Sequence, residues 1–274
     1  MVSEAFLEGG RVLLVGKRPD AFKIYTELKG NLDFFDGKIK SVKIPGKAEI
    51  VSPCKKYPQG AISFTYVAGE PLDKRIHECT DEQKAAIGEK LAGFVTEMQA
   101  LKPRSTDSKD KEVSRNREKI AGALNLVKPH LTAQENNKLQ RAAADYNEFL
   151  TSSSFCMTHG DLHFENLIVD EQNRLVGIID FGNVEYYVPE IEFMWMQDSD
   201  PVIFNAMVNS YNGSLDANNI KLVRLVGAVR FVKHCLNIYD YFLEKQLGVV
   251  RRLLGEYSAK KRPLGPFRCE EQTI

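Results

Sequence analysis

Apolar positions along the chain fall into two rhythms, and each predicts a kind of element. Near the start, residues 5–7 and 11–15 are short strand-forming runs separated by Gly9-Gly10. Glycine supplies the positive φ of a tight turn, so this stretch predicts a hairpin. From 21 to 35 the period changes: Phe22, Tyr25, Leu28 and Leu32 recur at helical spacing, and Asp20 is placed to cap the helix. Residues 38–56 are basic and interrupted by Pro45 and Pro53, which predicts loop with short strands. Residues 61–67, AISFTYV, predict a buried strand that ends at AGEPL.

Beyond residue 80 the helical period dominates. Ala85, Ile87, Leu91, Phe94, Val95 and Met98 form one apolar stripe over 81–101, with Thr80 able to cap its start. Residues 102–117 are polar and densely charged, and predict a mobile surface segment. Helices are expected over 118–126 and 133–150, the second capped by Thr132 with Glu135 reaching back. The runs at 167–169 and 175–179 bracket the polar turn Asp170-Glu171-Gln172-Asn173 and predict a second hairpin. Three more helices are expected over 201–211, 216–243 and 247–257, and a loose basic tail from Lys260. Strands gathered early and helices later make an α+β protein.

Composition narrows the partners. The 274 residues are 43% hydrophobic and 27% charged, an ordinary globular profile. Lys+Arg and Asp+Glu both number 37, so no global field draws the chain to nucleic acid or an anionic membrane. Five scattered cysteines without a CxxC pair predict reduced thiols. The N-terminus has no basic region followed by an apolar core, and no apolar run is long enough to span a bilayer, so a cytoplasmic location is expected. Nothing in the sequence sets an oligomeric state.

Candidate chemistry sits on the second hairpin. His159-Gly160-Asp161 and Asn166 precede it, and Asp180-Phe181-Gly182 follows it. A hairpin returns its end close to its start, so Asp161, Asn166 and Asp180 can converge. Mg²⁺ takes hard oxygen ligands, with only one or two protein carboxylates beside phosphate and water. Phosphoryl transfer also uses a carboxylate to orient and deprotonate the attacking hydroxyl. Asp161 fits that second role, and Asn166 with Asp180 fits the metal. The competing reading is two solvated turns flanking a hairpin. His159 and His163 have a spacing that binds zinc on a helix, but Gly160-Asp161 between them opposes a helix and no third ligand is near. His159 is expected instead to hold its loop through a backbone hydrogen bond. Glu185, Glu190, Glu192, Asp198 and Asp200 form an acidic cluster, which suits either a cationic ligand or a solvated face.

The runs HGDLHFEN, IIDFG and PEIEF resemble the kinase-like phosphotransferases that include aminoglycoside phosphotransferases and choline kinases. The resemblance implies a two-lobed protein-kinase-like fold, with an N-lobe over 1–72 and a helical C-lobe over 73–274 carrying the catalytic loop and metal site. It implies Mg²⁺-dependent transfer of the γ-phosphate of ATP or GTP to a hydroxyl of a small molecule, an aminoglycoside-like amino sugar foremost. FTYVAGEPL resembles the hinge, near 64–72, that the nucleotide base enters, which implies that backbone groups of Thr65 and Val67 meet the base. Gly160 stands where protein kinases usually have Arg, and no segment ends in APE, so the small-molecule branch fits better. Glu192 stands where that branch has Asp and is implied to brace the catalytic loop.

Two departures qualify the resemblance. The chain opens on what corresponds to the family's second strand, and Gly9-Gly10 is the wrong turn to lie over the phosphates, so either the phosphate lid is absent or the start of the chain is incomplete. Leu14 occupies the place of the phosphate-binding Lys. Lys17 is the nearest substitute, with Glu27 as its helix partner. A shift of three residues along a strand points to the wrong face, and a bulge at Gly16 would be needed to correct it. These departures keep open a catalytically impaired nucleotide-binding protein. A kinase for choline or another small hydroxyl metabolite also stays open.

Overall fold

The computed structural model describes residues 3–238 and 242–257. Strands β1 (Ser3–Glu8) and β2 (Arg11–Gly16) lead into α1 (Ala21–Phe35), followed by β3 (Glu49–Val51), β4 (Ala61–Thr65) and β5 (Glu70–Pro71). Next come α2 (Leu72–Arg75), α3 (Asp81–Ala100), α4 (Lys109–Val127) and α5 (Ala133–Ser152). Strands β6 (Cys156–Thr158), β7 (Leu167–Val169), β8 (Leu175–Ile178) and β9 (Glu185–Tyr187) precede α6 (Met196–Ser199), α7 (Pro201–Ser210), α8 (Ala217–Ile238) and α9 (Leu243–Glu256). The α+β class is as expected. The chain divides into two compact units: Met1–Leu101 with His159–Glu185 and Met196–Asn212, and Lys102–Thr158 with Tyr186–Trp195 and Gly213–Ile274.

In the first unit an antiparallel sheet runs β1-β2-β4-β3, and the expected hairpin turns at Gly9 and Gly10, both at positive φ. Helix α1 buries Ala21, Tyr25, Leu28, Leu32 and Phe35, one face of a 3.6-residue period. Asp20 does not cap it. Its backbone is helical (φ −88°, ψ −1°), whereas a capping side chain needs an extended backbone, and its carboxylate takes Arg18 at 2.7 Å instead. A second sheet runs β5-β7-β8, and Lys43, in the segment after α1, bridges in parallel to Gly177 of β8. Thr80 opens α3 through a reciprocal capping box with Gln83. Helix α7 packs on α3 and is capped by Asp200, whose Oδ1 accepts from the amides of Val202 and Ile203 at 2.9 and 3.1 Å.

In the second unit α4, α5, α8 and α9 share a core that includes Val113, Ile120, Tyr146, Phe149, Val226 and Leu254. The capping box Thr132–Glu135 opens α5 as expected. The charged segment 102–117 corrects the sequence reading, because α4 already begins at Lys109. Val113, Asn116, Ile120 and Ala123 are its buried face, and the charges are its outer face. Buried Asn116 there is met by Arg230 Nη1 at 3.3 Å. Helix α9 starts four residues before the expected Leu247. Leu243, the last residue expected for α8, belongs to α9 instead, and residues 239–241 and the basic tail lie outside the described residues. Among the described residues, no helix is long and apolar enough to cross a membrane.

Candidate active site

The β7–β8 hairpin is closed by Asp170, whose Oδ1 accepts from the amides of Gln172 and Arg174 at 3.0 Å each while Oδ2 takes Arg174 Nε at 2.8 Å. Its register pairs Leu167 with Ile178, so the residues just outside the pair, Asn166 and Ile179, are neighbours, and the Ile179 amide donates to the Asn166 carbonyl at 3.0 Å. Asn166 and Asp180 therefore meet at one end of the hairpin. That convergence is what the spacing of the two motifs predicts.

The loop before β7 is tied to the same place. His159 is buried, with its ring edge-on to Phe181 at 4.8 Å and to Phe94 at 6.2 Å, and its Nε2 donates to the Ile179 carbonyl at 3.0 Å. Burial pushes its pKa down to about 4, so the ring is neutral near pH 7. Gly160 sits at φ 76°, and a Cβ there would lie 2.8 Å from the Asn183 carbonyl oxygen, so a larger residue is excluded. From the other side Asn31 Nδ2 of α1 donates to the Phe181 carbonyl at 2.7 Å, and the Phe181 ring packs on Phe35 at 5.5 Å.

Asp161 is held at three points. Asn183 Nδ2 donates to its Oδ2 at 3.0 Å, His163 Nε2 stands 3.6 Å from its Oδ1, and Asn166 Nδ2 donates to its backbone carbonyl at 2.9 Å. Burial pushes the carboxyl up, but His163, with His159 and Asn183 assisting, outweighs burial and holds it below the usual carboxylate range. Asp161 in turn raises the pKa of His163 against the effect of burial. Asp180 lies in the left-handed region (φ 64°), and its Oδ1 accepts from the Gly182 amide at 3.2 Å. Burial pushes Asp180 up, and the Asp161 charge adds to that against the Gly182 amide and His163. The described side-chain bonds of Asn166 use Nδ2 and that of Asp180 uses Oδ1. Asn166 Oδ1 and Asp180 Oδ2 remain, two hard oxygens of the kind Mg²⁺ takes. The donor set fits that ion.

A cavity of about 450 Å³ adjoins Asp180, with Val12, Leu14, Leu28, Leu32, Phe64, Thr65, Val67, Gly69, Ile168 and Ile179 in its wall. The Thr65 amide is engaged by the Gly46 carbonyl at 2.9 Å, so it is not available to a ligand. Among the described hydrogen bonds none uses the backbone of Val67.

Lys17 and Glu27 are not brought together. Strand β2 keeps unbroken register with β1 from Glu8↔Arg11 to Ser3↔Gly16, so no bulge at Gly16 re-aims Lys17. Its Nζ pairs with Glu4 at 3.2 Å, Glu27 is exposed on α1, and Leu14 and Leu28 line the cavity. Two roles escaped sequence reading. Asn183 contacts Asp161 from beyond the Asp-Phe-Gly run, with no spacing rule to announce it. Asp200 is taken up by the α7 cap and by Lys84 at 2.9 Å, and Asp200-Pro201 ahead of an apolar run is the helix-start signal that could have found it. Of the other acidic residues, Glu190 and Glu192 are buried in the second unit, and the side chain of Asp198 lies outside the described residues.

The chain is similar to the GDP complex of wild-type aminoglycoside 2'-phosphotransferase-IIIa, at TM-score 0.74 and 18% identity, covering 93% of this chain and 90% of that one. It is similar to the streptomycin–ATP ternary complex of APH(2")-IIa at TM-score 0.67 and 19% identity, covering 91% and 88%. Macrolide 2'-phosphotransferase MphH from Brachybacterium faecium matches at TM-score 0.58 and 16% identity, covering 93% and 86%. These likenesses establish the kinase-like fold. Sequence comparison with curated proteins finds no match. The sequence profile of the phosphotransferase enzyme family matches residues 38–216, more than half of the chain, and with that match the chain belongs to the phosphotransferase enzyme family.

Proposed function

We propose that this protein transfers the γ-phosphoryl group of ATP or GTP to a hydroxyl of a small, amine-bearing molecule. In this reading residues 1–72 act as the N-lobe and 73–274 as the C-lobe. The observation that carries it is the convergence of Asp161, Asn166 and Asp180, with His159 fastening the loop to the residue before Asp180. Asp161 orients the acceptor hydroxyl and takes its proton. The hydrogen bond from Asn183 and the nearby His163 ring keep Asp161 ionised and aimed. Asn166 Oδ1 and Asp180 Oδ2 hold Mg²⁺, which when bound neutralises charge on the phosphate oxygens. The Thr65 carbonyl and the Val67 backbone meet the purine edge, and the apolar wall takes its faces.

An amine-bearing polyol leads the acceptor list because similar structures are described as complexes with gentamicin, kanamycin and streptomycin. The test is nucleoside diphosphate release with ATP and with GTP across aminoglycosides, macrolides, choline, amino sugars and hydroxy amino acids. Acceptor-dependent turnover should fall about 10²–10⁴-fold in Asp161→Asn, the usual cost of losing a general base. Turnover that survives this substitution would remove Asp161 from its role. Nucleotide binding without turnover on any acceptor would favour the second reading, a binding protein, to which the leucine-lined cleft lends support.

A further inference from the structure

The cavity beside Asp180 has one charged side chain in its described wall, and that is Asp180 itself. The absence of a cation follows from two alternations. Along β2, Val12 and Leu14 line the cavity, and period-two geometry sends Lys17 to the opposite face, where it meets Glu4. On α1, Leu28 and Leu32 stand one helical turn apart on the cavity face, while Glu27 is turned away and exposed. Leu14 and Leu28 are thus the wall residues of β2 and α1 nearest along the chain to Lys17 and Glu27.

A triphosphate tail carries several negative charges. Next to Asp180 and Asp161 it meets charge of its own sign, and against Leu14 it loses water without gaining a donor. A nucleoside meets none of these costs, because its base occupies the apolar cavity and its ribose is neutral. A divalent cation at Asn166 and Asp180 reverses the sign at the phosphates.

Resting on the transferase reading, we propose that Leu14 and Leu28 make this cleft a nucleoside pocket in which phosphates are anchored through the metal alone. Without a divalent cation the protein binds a purine nucleoside at least as tightly as the matching triphosphate. With the cation present, triphosphate affinity rises and nucleoside affinity does not.

Calorimetry on the full chain tests this with adenosine, guanosine, ATP and GTP, each in EDTA and in Mg²⁺. For whichever base binds, the expected result is nucleoside equal to or tighter than triphosphate in EDTA, and a gain of about tenfold or more for the triphosphate in Mg²⁺, the scale of one charge-assisted contact. A triphosphate at least tenfold tighter than its nucleoside in EDTA would overturn the inference while leaving the transferase reading intact. No binding of any of the four in either condition would overturn both. The double substitution Leu14→Lys with Leu28→Glu should raise triphosphate affinity in EDTA about tenfold. Should that variant fail to fold, the wild-type comparison decides alone.

Discussion

His159 donates from Nε2 to the carbonyl oxygen of Ile179 across 3.0 Å, so one buried imidazole joins the start of the Asp161 loop to the residue before Asp180. The bond needs the neutral ring. Burial supplies it by pushing the pKa from the ordinary 6.5 down to about 4.

His159→Phe keeps a ring of similar size among Phe94 and Phe181 but leaves the Ile179 carbonyl without its donor. An unsatisfied buried acceptor costs about 1–3 kcal/mol, so the urea midpoint at pH 7.5 should fall accordingly. The pH dependence has a definite sign. Folding disfavours the protonated ring, so stability from this group is full above pH 6.5 and is lost as pH falls through 4. The advantage of wild type over the variant should narrow across that window. A constant difference would remove the neutral-ring argument.

Asn183→Ala removes the donor to Asp161 Oδ2 while sparing the loop backbone. Asn183 is a positioning residue, so the variant should bind nucleotide normally. Its kcat should drop about tenfold, in line with one hydrogen bond to a charged group. The lost bond had lowered the Asp161 pKa, so the acidic limb of the pH–rate profile should move upward. A drop in kcat with an unmoved limb would mean that Asn183 acts only through packing.

Where local chemistry announces itself, the sequence is legible. Thr132 with Glu135, Gly9-Gly10 and the two acidic motifs around residues 167–179 each draw on neighbours a few positions away, and each appears as expected. The first part of helix α4, residues 109–117, was hidden because its buried face is only Val113 and Asn116, and Asn116 carries no hydrophobic signal amid the charges. Lys17 misled because nearness along the chain is not nearness in a strand. The intact β1–β2 register keeps it on the face of Glu4. Asn183 reaches Asp161 across 22 positions and could only be found once the loop was folded.

Gly69→Ala should damage the cavity wall. Gly69 has φ 136°, and an added Cβ would lie 2.4 Å from the Val169 carbonyl oxygen and 2.6 Å from Ile168 Cγ2. A side-chain methyl can rotate away, but the carbonyl belongs to β7, which pairs with β5 one residue beyond Gly69. Backbone strain of this kind costs about 1–3 kcal/mol before any clash is counted, so the melting temperature should fall by several degrees. The thermal shift produced by nucleotide should shrink with it. An unchanged melting temperature would mean that β5 moves away from β7 at little cost.

Glu190 makes the opposite pH prediction from His159. It is buried in the second unit, and its Oε2 has no hydrogen-bond partner among the described residues. Burial pushes its pKa up to about 7, against the relief offered by its own backbone amide and Asn219. The folded state therefore holds this proton more tightly than the unfolded state. Its contribution to stability is complete below the ordinary 4.5 and is lost as pH rises through 7, a loss of up to about 3 kcal/mol. In Glu190→Gln no proton can leave, so that decline should vanish and the variant should gain on wild type between pH 4.5 and 8. In wild type the His159 and Glu190 slopes oppose each other, and a nearly flat profile near pH 6 would conceal both. Only the two variants, unfolded in urea over the same pH series, separate them. Parallel curves for wild type and Glu190→Gln would mean that water or structural relaxation solvates the carboxylate, and that the second unit is less closely packed around residue 190 than its burial indicates.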